Sequence, residues 1–123
     1  ANKTYLVELF LITNSAAATS DLLMGWSGPA SCAISWAPLD PNITGDRTWL
    51  RSDAAPSLGL GAISSQLSVN LAGGSVDEGV LVTAIVRNQA NAGTVNFKWS
   101  QFSAVANNTS VVAGSLMRYT KLD

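Results

Sequence analysis

The sequence predicts an all-β fold: an antiparallel, jelly-roll-like β-sandwich of about eight strands. It is expected to form one domain over residues 1–123. Three observations carry this. Apolar residues recur at every second position in several separate runs, the mark of strands with one covered face. Turn-forming residues break those runs at short intervals. No segment shows a long apolar stripe at helical spacing, so very little helix is expected.

The organising stretch is Val80 to Tyr119. VLVTAIVRN (80–88) places Val80, Val82, Ala84 and Val86 on one face. After QANAG (89–93), TVNFKWSQFSA (94–104) places Val95, Phe97 and Trp99 on one face and Asn96, Lys98 and Ser100 on the other. These two runs, 79–88 and 93–102, are expected to form an antiparallel pair, with Trp99 in the core. A closing strand covers 110–120, with Gly114 as a bulge or bend.

The first strand covers 4–13. Tyr5, Val7, Leu9 and Leu11 share one face, and Leu6, Phe10 and Ile12 fill the other, broken only by Glu8. A strand apolar on both faces is covered on both sides, here by a second sheet and either a loop or a neighbouring subunit. After the NSAAATS turn, 21–27 forms a strand ended by Gly28-Pro29, because proline donates nothing to a ladder. Ala33–Ala37 adds a short strand with Trp36. Pro38–Ala62, with Pro38, Pro41 and Pro56, is expected to be long loops around a short strand at Arg47–Arg51. Leu67, Val69 and Leu71 alternate with Ser68 and Asn70, giving a strand before the Ala72-Gly73-Gly74 turn. Asp77 and Glu78 are placed in a solvated turn leading into the next strand.

Charged residues make up only 12% of the chain, against about a quarter in an average soluble domain. Such a neutral surface, rich in small polar residues, is expected to meet other protein. The net charge is −1 with no basic run, so no phosphate-binding stripe exists and nucleic acid is not an expected partner. No apolar run is long enough to span a bilayer, and no membrane partner is expected. Ala1 either follows a removed methionine or is the cut start of a longer chain. Cys32 is the only cysteine and reads as a small buried hydrophobe.

There is no histidine, which removes Ser-His-Asp and Cys-His catalysis and the commonest transition-metal ligand. Asp77 and Glu78 are adjacent, so on an extended chain they point to opposite sides and do not form a glycosidase pair. No enzyme, cofactor or metal site is expected. Asp40, Asp46 and Asp53 with Asn42 offer oxygen atoms to a calcium ion but lack EF-hand spacing, and ordinary loop solvation is the preferred reading. Of the four tryptophans, Trp26, Trp36 and Trp99 sit in apolar alternation and are assigned to the core. Trp49, flanked by Arg47 and Arg51, is the best candidate for an exposed contact.

Two stretches resemble tailed-bacteriophage structural proteins. Thr94 to Leu116 has an aromatic strand with a W-x-Q centre, a Thr/Asn-rich loop and a V-x-A-G-S closing strand, carried here by Phe97, Trp99, Gln101, Thr109, Val112, Ala113, Gly114 and Ser115. The start, TYLVELFLI followed by DLLMGWSGPAS, is similar to the same proteins. The middle, Pro38 to Asn70, is not covered. The resemblance implies a trimeric jelly-roll module on the virion surface, as in head-fibre, capsid decoration or tail-fibre domains, without catalytic residues. Phages use this module in several places, so its position does not transfer. If these residues are the whole protein, capsid decoration is favoured over a fibre, which needs a shaft. Expected partners are copies of itself, through Leu6, Phe10 and Ile12, and another virion protein, the major capsid or tail protein. The alternative is a tail-fibre, receptor-binding module that recognises host surface glycan through Trp49 and the loops around it.

Overall fold

A computed structural model describes residues 2–18, 21–39, 67–103 and 106–123. The described residues form eight strands and no helix: β1 (Lys3–Ser15), β2 (Leu22–Ser27), β3 (Ala33–Leu39), β4 (Leu67–Val69), β5 (Val76–Asn88), β6 (Asn96–Gln101), β7 (Thr109–Val111) and β8 (Leu116–Lys121). They make a two-sheet antiparallel sandwich. The larger sheet runs β3-β5-β1-β7, with β8 also on β1, and the smaller runs β4-β2-β6. From β1 to β7, each successive described strand changes sheet, which gives the sandwich its jelly-roll-like character.

The alternation in sequence becomes the core directly. Val7, Leu9 and Leu11 on β1, Val80, Val82, Ala84 and Val86 on β5, and Ile34 and Trp36 on β3 are buried. They meet Leu22, Met24 and Trp26 of β2, with Val69 and Leu71, across the sandwich. Trp26 packs edge-on against Trp36 and Phe97, with ring centroids 6.3 and 5.2 Å apart. Cys32 is buried, and loss of solvent pushes its thiol pKa up, as expected of a small core residue.

Several expectations need correction. The runs around β5 and β6 do not pair with each other: β5 lies between β1 and β3, while β6 pairs with β2. The segment 89–95 instead crosses between sheets, a gap of about 10 Å that a two-residue hairpin turn does not span. The strand begun at Ala33 runs through Pro38 to Leu39, because among the described residues β3 pairs only with β5, and an edge strand tolerates the missing N–H. Asp77 and Glu78 lie in β5 opposite Asn14 and Thr13, not in a turn. The closing strand is split in two, β7 and β8, at Val112–Ser115. Gly114 there has φ of +98°, so the expected break sits where it was placed.

Trp99 is the largest correction. Its register partner is Met24, so it faces the interior as the alternation requires, yet it is 44% exposed. The reason is position: β6 is the edge of the smaller sheet, and no described strand flanks its other side.

Candidate functional site

Two apolar surfaces stand out. The first is the outer face of the larger sheet. Register places Leu6, Phe10 and Ile12 of β1 beside Ile85, Leu81 and Gly79 of β5, and Leu116 pairs with Phe10 from the other side. Phe10, Leu81 and Leu116 are exposed, and Leu6 and Ile12 half-buried. Gly79 makes this arrangement fit: a Cβ there would come within 3.2 Å of the Phe10 ring. The charge in the middle is neutralised by direct cross-strand pairing. Arg118 Nε donates to Glu8 Oε2 at 2.8 Å. That hydrogen bond holds the Glu8 carboxyl below its ordinary pKa and raises that of the Arg118 guanidinium. Leu6, Phe10 and Ile12, the residues expected at a subunit contact, therefore share one outward face.

The second surface is the open side of the sandwich, which sequence reasoning missed. The larger sheet ends in β7 and β8 and the smaller in β6, and no described strand bridges them. Interior-facing side chains on these edges are uncovered: Met117 is 57% and Tyr119 71% exposed, opposite Trp99. Two half-open cavities lie along this side. One, about 390 Å³, is walled by Leu9, Leu11, Phe97, Trp99, Val111 and Met117. The other, about 330 Å³, is walled by Tyr5, Val7, Trp26, Asn88, Val95 and Tyr119. Val95 and Met117 border both, so they form one apolar groove. Tyr5 and Tyr119 meet edge-on with centroids 6.2 Å apart.

The break between β7 and β8 shapes this side. Between the pairs Thr13–Val111 and Phe10–Leu116, two residues of β1 stand opposite the four residues 112–115. This enlarged bulge is tied down by Val112 N–H donating to the Ile12 carbonyl at 2.7 Å and by Ser115. Val112, Ala113, Gly114 and Ser115, quoted above for their likeness to phage proteins, are the bulge itself. Trp99 and Gln101, from the same likeness, lie on the opposite edge; Gln101 Nε2 caps the Ser103 carbonyl at 2.7 Å.

Arg47, Trp49 and Arg51, and the oxygen-bearing Asp40, Asn42, Asp46 and Asp53, lie outside the described residues. Among the described residues, no group of three or more Cys, Asp or Glu side chains is placed to hold a metal ion. Asp77 accepts from Asn14 Nδ2 at 2.7 Å and Glu78 from the Ala72 amide at 2.8 Å, so both act in local structure.

No family model, curated protein or solved structure matches the chain.

Proposed function

We propose that the chain is a structural module of a tailed-phage virion, displayed on the particle surface as a homotrimer, in a capsid-decoration or head-fibre role. One observation carries the reading. The segment that resembles phage structural proteins, Thr94–Leu116, contributes β6, β7 and the bulge, and these border the uncovered apolar side. Among the described residues this side holds a contiguous apolar groove and two sheet edges without a partner strand, which monomers rarely leave open to water. Packing copies around a closed symmetry axis covers both without allowing runaway strand pairing. The outer patch around Phe10 is then available to a second contact, with a neighbouring copy or with the virion protein that anchors the trimer.

Light scattering on the purified protein tests the assembly. The expected mass is three times 12.8 kDa, falling to one copy in Trp99→Asp or Met117→Asp. A single-copy mass at micromolar concentration, with no binding of a dye for exposed apolar surface, overturns it. Antibody labelling of virions tests the location: a signal on neither head nor tail removes the phage role.

A further inference from the structure

We propose that the outer face of the larger sheet is a self-association surface, on which a second copy of this chain packs face to face with its strands reversed. The proposal rests on neither the groove nor the phage role. The groove is lined by inward-facing residues of β1, and this face is the opposite one. Its centre is apolar. Leu6, Phe10 and Ile12 of β1 stand beside Ile85, Leu81 and Gly79 of β5, and Leu116 of β8 completes the row of Phe10 and Leu81. Phe10, Leu81 and Leu116 are 40, 46 and 53% exposed, neighbours across three strands. An apolar sheet face is ordinarily covered by a second sheet about 10 Å away.

The charges choose the occupant. The outward positions of β5 end in Arg87, opposite Thr4, and in Asp77, opposite Asn14, and both are exposed. Asp77 and Arg87 are ten residues apart, about 33 Å of strand. Lys3 and Lys121 gather with Asp123 at the Arg87 end and leave it positive, while Glu78 follows Asp77 at the other. Between the ends, Glu8 is already matched by Arg118 of the same chain. Asp77 accepts one hydrogen bond from Asn14 and keeps further lone pairs. A face with an apolar centre and opposite ends is complementary to itself. A two-fold axis lying across the strands sets Arg87 of each copy against Asp77 of the other and stacks the apolar centres. An axis along the strands would bring like ends together. A partner of uniform charge would be drawn to one end and repelled by the other. Both copies use the same patch, so the contact closes at two. The centre is only half-exposed and the charge pairs lie at a solvated rim, so the contact is weak and forms where copies are crowded.

The test uses the Trp99→Asp chain, so that the groove contact is removed and read separately. Sedimentation equilibrium is run from about 10 µM to about 1 mM, the range of a weak contact. The mass is expected to rise from one copy of 12.8 kDa towards two and no further. Arg87→Glu, with two negative ends, and Asp77→Arg, with two positive ends, are each expected to lose the rise. Mixed in equal amounts, they are expected to regain it as hetero-pairs. Leu81→Lys keeps both ends and is expected to lose the rise through the centre. A flat mass for the unreversed chain leaves the face to a different protein and overturns the proposal. So does a rise that survives in any of the three variants alone, or a mixture that stays at one copy. A dilute mass unaltered by Trp99→Asp would count against the groove contact, while reversal and mixing would still decide this one. If a reversed variant does not fold, the concentration series and Leu81→Lys decide.

Discussion

Ser115 Oγ accepts the Ile12 amide at 2.8 Å and donates its own proton to the Val112 carbonyl, also at 2.8 Å. One hydroxyl thus replaces the ladder hydrogen bonding that the bulge between β7 and β8 interrupts. Ser115→Ala removes both contacts and strands a part-buried amide. A loss of about 1–3 kcal/mol in denaturant unfolding is expected. An unchanged midpoint would mean that the bulge is held by Val112 alone.

Gly73 and Gly74 adopt almost the same left-handed conformation, with φ of +77° and +74°. Their surroundings differ sharply. A Cβ on Gly73 would lie 2.4 Å from the Ala18 backbone nitrogen, whereas one on Gly74 meets nothing within 4 Å. Gly74→Ala is expected to cost about 1 kcal/mol, the conformational penalty alone. Gly73→Ala must also push two turns apart and should cost about 3 kcal/mol or more. Equal midpoints in urea for the two variants would refute the close approach of those turns.

Trp26 and Trp99 share an alternation pattern but not a fate. Trp26→Ala opens a hole in the core between Trp36 and Phe97 and is expected to cost about 3–5 kcal/mol. Trp99, half in water at the sheet edge, should cost about 1–2 kcal/mol when measured on the single chain. Its larger effect is expected on association, read as a concentration-dependent melting temperature that loses its slope in Trp99→Ala.

The Glu8–Arg118 pair sets a pH dependence of defined sign. Its hydrogen bond lowers the Glu8 pKa in the folded state. A depressed carboxyl stabilises the fold above its unfolded pKa, and that contribution is lost as pH falls through the folded value. Thermal melting of the native chain and Glu8→Gln should therefore differ near neutrality and converge in acid. The gap will be small, because Arg118 is mostly exposed. A gap that widens in acid would reverse the sign and remove the pair as its cause.

The strands were legible because burial on one face writes itself into sequence at every second residue. Val80 to Val86 and Tyr5 to Leu11 declare their interior faces without any knowledge of their partners. Partnership itself is not local. Nothing in QANAG distinguishes a turn within one sheet from a crossing between two, so the pairing expected for β5 and β6 failed. Edges are equally invisible: Trp99 has the same neighbours in sequence whether or not another strand lies beside β6. The outward grouping of Leu6, Phe10 and Ile12 was readable, since β1 is apolar on both faces. The groove was not, since its two walls, at Trp99 and Met117, belong to different sheets.

The place of β1 at the middle of the larger sheet has a consequence for how the molecule comes to be folded. Its residues pair with Val76–Asn88 on one side and with Thr109–Lys121 on the other. Among the described strands the earliest in the chain thus waits for β5, β7 and β8, and loop-closure entropy must be met before any of its ladder forms. Topologies dominated by such distant pairings fold in about milliseconds to seconds, slowly for a chain of this size. During synthesis β1 is exposed with apolar residues on both faces, an adhesive segment in search of a partner. Its two long waits make the nascent chain, more than the finished fold, the stage most open to aggregation.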